Sequence, residues 1–139
     1  MKVAADRKCF ICGTENPIGL KVEFVIDEAA RTSEACLTIP EYYQGWQGVV
    51  HGGIISALLD EASIYACRPL SLHAVTAGLD VRFRKPVHVD TTLRVKAEVV
   101  SIRRRFAEVN ARLFCQGELM AEAEVKIMLL DEPKETSNA

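Results

Sequence analysis

The apolar positions of the chain fall into two periods, and the change between them happens once in each direction. Leu20, Val22, Phe24 and Ile26 alternate with Lys21, Glu23 and Val25, the pattern of a half-buried strand. Residues 27–32, "DEAART", read as a turn; Ala35, Leu37 and Ile39 then mark a second strand, closed by Pro40. Over residues 52–67 the alternation gives way to a helix of Ile, Leu and Ala, interrupted only by Ser56, Asp60, Glu61 and Ser63. Alternation resumes with Val75, Ala77, Leu79, Val81 and Phe83 set against Thr76, Gly78, Asp80, Arg82 and Arg84, and Pro86 ends that strand. Leu93, Val95, Ala97 and Val99 form the next, with a phase slip at Val100 and Ile102 that predicts a bulge. Ala107, Val109, Ala111 and Leu113 lead to the hairpin turn "CQGE", and Leu119, Ala121, Ala123, Val125 and Ile127 close the series.

Six strands joined mostly by short turns predict an antiparallel sheet. One apolar sheet face needs a cover, and the helix is the apolar cover available. A helix that is apolar nearly all round is buried nearly all round. The sheet must therefore wrap it, and a second subunit must close what remains. The expected class is α+β, as one domain over 1–139, with an irregular arm at 1–18 and a frayed polar tail at 131–139.

Composition narrows this picture without changing it. A chain of 139 residues, 49% of them apolar, fits one domain with a real core. A net charge of −2 gives no reason to expect nucleic acid or an anionic membrane as partner. No apolar run approaches the ~18 residues that span a bilayer. The first residues, "MKVAADRKCF", lack a secretory apolar core, so a cytoplasmic protein is expected. Five cysteines, an odd number, read as reduced thiols, those at Cys36, Cys67 and Cys115 as small core side chains.

The buried helix poses the chemical question, because a buried carboxylate is costly unless paired or used. Gly52 and Gly53 open the helix, where free N–H groups and the dipole favour an anion. They suit an oxyanion hole, with Gly53 as main donor and Gly52 in support; the competing reading is a tight turn into a packed helix. Desolvation would raise Asp60 toward the range of a general base, or it could attack as a nucleophile. The competing reading is a carboxylate capped by Ser56, Ser63 or a partner-chain hydroxyl. Glu61, beside Ala57, Leu58 and Tyr65, reads as a rim or interface residue. His51 and Asp60, nine residues apart, point to opposite sides of one helix. A substrate carbonyl would therefore meet Gly53 of one subunit and Asp60 of the other.

"VVHGGIISALLDEA" (49–62), "AVTAGLDVRFRKPV" (74–87) and the arm "CFICGTENPIGL" (9–20) carry a resemblance. The chain resembles the hotdog-fold acyl-CoA thioesterase superfamily, in its phenylacetate-pathway branch, whose helix begins His-Gly-Gly and carries an aspartate. The resemblance implies an antiparallel sheet wrapped around one long helix, and acyl-CoA or aryl-CoA hydrolysis without metal or cofactor. It implies a homodimer, assembling to a homotetramer. It places the catalytic carboxylate at Asp60, gives His51 the orienting of the glycine turn, and gives Thr76 the positioning of water. Substrate would be held by Gln47, Val50, Arg82, Arg84 and Lys85, the last three meeting coenzyme A phosphates, as Arg103, Arg104 and Arg105 also could. The sequence departs from the branch at Gly45, where members often carry Asn or Gln; Gln44 and Gln47 stand nearby.

Other features stay secondary. Tyr42, Tyr43, Trp46 and Tyr65 could line an acyl pocket or an interface. Cys9 and Cys12 form a single Cys-x-x-Cys, half of a zinc site that a second arm in a dimer could complete; a capping arm held by the Asn16-Pro17 turn, without zinc, is the expected role. A non-catalytic acyl-CoA-binding module on the same fold is the main competing function. A dehydratase on β-hydroxyacyl thioesters ranks below it, since His73 and His88 lie outside the central motif.

Overall fold

A computed structural model describes residues 1–131; all of the expected polar tail except Asp131 lies outside them. The strands are β1 (Val25–Asp27), β2 (Thr32–Thr38), β3 (Ala74–Phe83), β4 (Thr92–Arg103), β5 (Phe106–Cys115) and β6 (Glu118–Leu129). A single helical turn, Glu41–Tyr43, precedes the one long helix, α1 (Gly52–Ala66). The strands form one sheet in the order β1-β2-β4-β5-β6-β3. Every neighbouring pair is antiparallel.

Helix α1 packs against all six strands, as its composition demands. Leu58, Leu59, Ala62 and Ala66 are fully buried, facing strand residues such as Val95, Leu113, Val125 and Ile127. The two polar side chains buried with them are spent on backbone: Ser33 Oγ donates to the Ala62 carbonyl at 2.6 Å, and Ser63 Oγ to that of Leu59 at 2.8 Å. The β5–β6 hairpin turns through Gln116 and Gly117, both at positive φ (51° and 78°), which matches the twist of the flanking strands. None of the described helices is long and apolar enough to cross a membrane.

The periodicity misplaced three things. The first strand was expected from Leu20, but residues before Val25 belong to the arm. Lys21 takes a left-handed φ of 53°, which breaks the extended run. The Leu20 and Val22 N–H groups donate to the carbonyls of Phe10 and Ile11 at 2.9 and 2.8 Å, so the arm doubles back on itself. Asp131, assigned to the frayed tail, instead ties β6 to the loop before β3, accepting from the Ser71 hydroxyl and the His73 N–H, both at 3.0 Å. The third difference is in β3. The expected bulge at Val100 is present, but β3 carries another, between Thr76 and Gly78. Ala77 is the extra residue, and the phase of the strand switches there. Thr76 therefore pairs with Ile127 on the inner face, although strict alternation put it outside with Asp80 and Arg82.

Replacing a fully buried helix side chain tests the wrapping of α1. Leu59→Ala should cost about 2–5 kcal/mol, the usual penalty for truncating a buried leucine. Urea unfolding should show the midpoint fall with the slope preserved.

Candidate active site

The start of α1 is built by short-range bonds. The His51 N–H donates to the Tyr43 carbonyl at 3.0 Å, and the Val50 N–H to that of Val87 at 2.8 Å. These bonds hold the glycine turn between the 41–43 turn and the end of β3. His51 is the N-cap, and its Nδ1 accepts the Gly53 N–H at 2.8 Å. This fixes the ring: with Nδ1 accepting, a neutral His51 carries its proton on Nε2 and can only donate there. It also reverses the order expected of the two glycines. The Gly53 N–H is engaged, whereas among the described residues no acceptor meets the Gly52 N–H, so Gly52 is the open donor. A Cβ on Gly52 would stand 3.4 Å from the Phe83 ring.

Trp46, Val50, Ile55, Phe83 and Val87 wall a groove that reaches Gly52. Arg84 and Lys85 stand on its margin. Arg84 pairs with Glu122 at 3.0 Å and Lys85 with Glu118 at 2.7 Å. Such exposed pairs are worth little, and a phosphate can compete for either cation. Arg82 lies on the outer face, 3.6 Å from Asp80, and does not line the groove. Nor does Gln47, which sits in the exposed turn closed by the Val49 N–H to Trp46 carbonyl bond; Trp46 occupies that wall instead. Gln44 is engaged locally, accepting the Gly48 N–H at 2.9 Å. His73 is bonded to Asp131, and His88 is exposed; neither lines the groove.

Asp60 stands two turns further along α1. Its carboxylate accepts a hydrogen bond from the Thr76 hydroxyl, a contact that the β3 bulge makes possible. Neither Ser56 nor Ser63 caps it: Ser56 Oγ donates to the Gly52 carbonyl at 2.9 Å, and Ser63 is turned to Leu59. Burial, the largest cause, lifts the Asp60 carboxyl above its ordinary range; the Thr76 bond opposes this, and the charge of Glu61 adds to it. Gly52 and Asp60 are eight residues apart, a rise of about 12 Å along the helix. No single thioester carbonyl reaches both within one chain.

Glu61, expected at a rim or interface, is half-buried against the arm. One residue on from Asp60, it turns about 100° away and meets the arm: Cys9 Sγ donates to its carboxylate at 2.8 Å. Cys12 lies in the same cluster, its thiol pushed up to about 12 first by burial and then by Glu61. Tyr65, stacked on Phe24 at 4.6 Å, joins it and is also pushed up to about 12, again chiefly by burial. Fifty-two positions separate Cys9 from Glu61, and no local pattern announces their meeting.

The raised Asp60 fixes a sign for stability. The unfolded chain releases this proton near 3.8 and the folded chain at a higher pH. Between the two values the folded state binds more protons, so stability falls as pH rises through that window. Asp60→Asn removes the charge but keeps an acceptor for Thr76. It should melt higher than the native protein near neutral pH, with the gap closing toward about pH 4. A melting series across that range checks this; a gap that widens on acidification contradicts it.

The sequence model of the Thioesterase superfamily matches residues 47–122. The fold superposes on an uncharacterised protein of Pyrococcus horikoshii with a TM-score of 0.75 and 22% identity, covering 95% of this chain and 98% of that one. It superposes on the PaaI protein of the E. coli phenylacetic acid degradation operon with a TM-score of 0.73 and 19% identity, covering 82% and 83%. In sequence the chain is 36% identical over 102 residues to the 3-hydroxyacyl-[acyl-carrier-protein] dehydratase FabZ of Roseiflexus sp., covering 63% of this chain and 71% of that protein. It is 43% identical over 68 residues to MIOREX complex component 3 of Saccharomyces cerevisiae, covering 48% of this chain but only 25% of the yeast protein. With more than half of its residues matched, and with this sheet wrapped around this helix, the chain belongs to the Thioesterase superfamily and has the hotdog fold.

Proposed function

We propose that the protein hydrolyses acyl-CoA or aryl-CoA thioesters at a site shared by two subunits. The observation that supports this best is the separation of two groups on α1: an open N–H at Gly52 at its start, and a half-buried Asp60 held by Thr76 about 12 Å further along. β3 is an edge strand, and it carries Thr76 and the exposed apolar side chains Leu79 and Phe83. A long edge strand of this kind invites pairing with a second copy. In a homodimer with antiparallel helices, Asp60 of one subunit approaches the Gly52 turn of the other. The homotetramer is a further doubling of that dimer.

Asp60 then acts as general base. Thr76 occupies one side of the carboxylate, which leaves the other free to take a proton from water. Water attacks the thioester carbonyl, and the developing oxyanion is met by the Gly52 N–H at the positive end of the helix; one such donor is worth about 3–4 kcal/mol. His51 holds the turn. The coenzyme A phosphates lie toward Arg84 and Lys85, and the acyl group lies in the groove walled by Trp46 and Phe83. The reading is of a cytoplasmic enzyme acting on a soluble acyl-CoA.

The likeness to FabZ gives a second reading, a hydratase or dehydratase on acyl thioesters. That chemistry asks for a histidine base at the α-carbon. His51, with Nδ1 engaged by Gly53, offers a donor and not a base, which favours hydrolysis. Thiol release and enoyl-thioester hydration, measured on one panel of acyl-CoA and aryl-CoA substrates, separate the readings. Tight binding without either reaction leaves the binding module.

Asp60→Asn should lower kcat by roughly 10²–10⁴-fold, the usual worth of a positioned base. Gly52→Val should push on Phe83 and cover the open N–H, and should also be inactive. Refolding the two variants together should restore part of the activity, because each mixed dimer has one intact composite site. A mixture that stays inactive while mixed dimers are shown to form sinks the shared site.

A further inference from the structure

The cluster between the arm and α1 has no part in hydrolysis as derived above. One sulfur from Cys9, one from Cys12 and a carboxylate oxygen of Glu61 lie within 4.8 Å of one another, all half-buried. We propose that Cys9, Cys12 and Glu61 form a mononuclear site for a borderline-soft divalent cation of the zinc type, contained in a single chain, with the fourth position left to solvent. Two thiolates and a carboxylate are donors that zinc accepts, and three protein ligands with one open position is one of its regular arrangements.

The ligand turn is formed in advance. The Cys12 N–H is directed at Cys9 Sγ at 3.5 Å, which places a main-chain donor on the first sulfur. The Gly13 N–H closes the turn on the Cys9 carbonyl at 2.8 Å. A Cβ at Gly13 would lie 2.4 Å from the Cys9 nitrogen and 2.6 Å from its oxygen, so this turn admits only glycine. The Asn16 side chain pins the arm further, donating to the Lys8 carbonyl and accepting from the Ile18 N–H, both at 3.0 Å. Its turn thus steadies the arm, as expected of Asn16 and Pro17, and the arm in turn delivers two sulfurs to one helix carboxylate.

The chemistry of the metal-free cluster points the same way. Cys9 Sγ donates to the Glu61 carboxylate at 2.8 Å. Cys12 Sγ lies within 4.8 Å of both the Cys9 sulfur and a Glu61 carboxylate oxygen. A thiol is a weak donor, so a half-buried carboxylate facing two of them is poorly matched. Binding exchanges two thiol protons, released to solvent, for one dication, and gives each of the three groups a strong partner. The residual negative charge lies beside Tyr65, whose ring carries the Arg68 guanidinium at 4.4 Å. A cation here rivets the arm to α1 on the face turned away from Asp60. This replaces the metal-free capping role expected for the arm, and needs no second arm.

The test uses the full chain, reduced and stripped with a chelator, then exposed to zinc and passed through a desalting column. About one zinc per chain should remain, and the melting temperature should rise with it. Cobalt in its place should show a sulfur-to-metal charge-transfer band and tetrahedral visible bands. Glu61→Gln, nearly isosteric, and Cys12→Ser should each weaken binding by more than the roughly 10–100-fold that loss of an outer partner costs; Cys36→Ser, at an exposed thiol, should not. The site is refuted if the reduced, folded protein retains no zinc, or if cobalt binds without the sulfur band. It is also refuted if zinc is held at one per two chains and survives Glu61→Gln, since two arms would then share it.

Discussion

A helix with no solvent face controls this molecule. Amphipathic helices lie on a sheet and leave one side to water; α1 has no such side, so each strand must contribute to covering it. That requirement selects a single curved sheet over a flat one with helices beside it. It also explains why β3 is left at an edge with Leu79 and Phe83 exposed. Six strands do not close around the helix, and these two side chains stand exposed at the open edge of β3. Asp60 lies toward that same edge, where the Thr76 hydroxyl of β3 meets it.

The local devices fit this constraint. The helix start must be held without burying a loose turn, and His51 does so by capping Gly53, which leaves the preceding Gly52 N–H with no acceptor among the described residues. An open N–H at the positive end of a helix favours a negative charge. Asp60 stands in the complementary situation. Its charge is disfavoured by burial and only partly relieved by Thr76. The start and the middle of α1 thus hold unmet electrostatic demand of opposite sign, too far apart to satisfy each other within one chain.

Much of the fold was readable because the strands alternate on either side of their bulges and one helix does not alternate. Where reading failed, the cause was a single residue that resets a phase or a contact that spans the chain. Alternation counted Ala77 as an inward residue, yet Ala77 is the bulge, and the reset brings Thr76 inward to Asp60. The role given to Thr76 by resemblance was thus at odds with the face given to it by periodicity, and the bulge reconciles them. Lys21 carries no mark of a left-handed residue, so the first strand was drawn too long. Arg82, expected to meet coenzyme A phosphates, stands on the outer face beside Asp80, and Gln47, expected to stand in for the branch's Asn or Gln, sits in an exposed turn; neither lines the groove. The order of the glycine donors depended on which nitrogen of His51 faces the turn, and spacing does not encode that.

The adjacency of Asp60 and Glu61 shows how one buried helix holds two carboxylates. Consecutive helix residues diverge by about 100°, so the pair does not share an environment. Asp60 is directed to the sheet edge and a hydroxyl; Glu61 is directed to the arm and two thiols. Had the spacing been three or four, the carboxylates would have stacked on one face and repelled each other at close range. At a spacing of one, each charge finds its own partner on a different flank of the helix. The core between those flanks stays apolar through Leu58, Leu59 and Ala62. The carboxylates that seem out of place in an apolar helix therefore mark the two flanks where the sheet is not its neighbour alone: the open edge at β3 and the side on which the arm is laid.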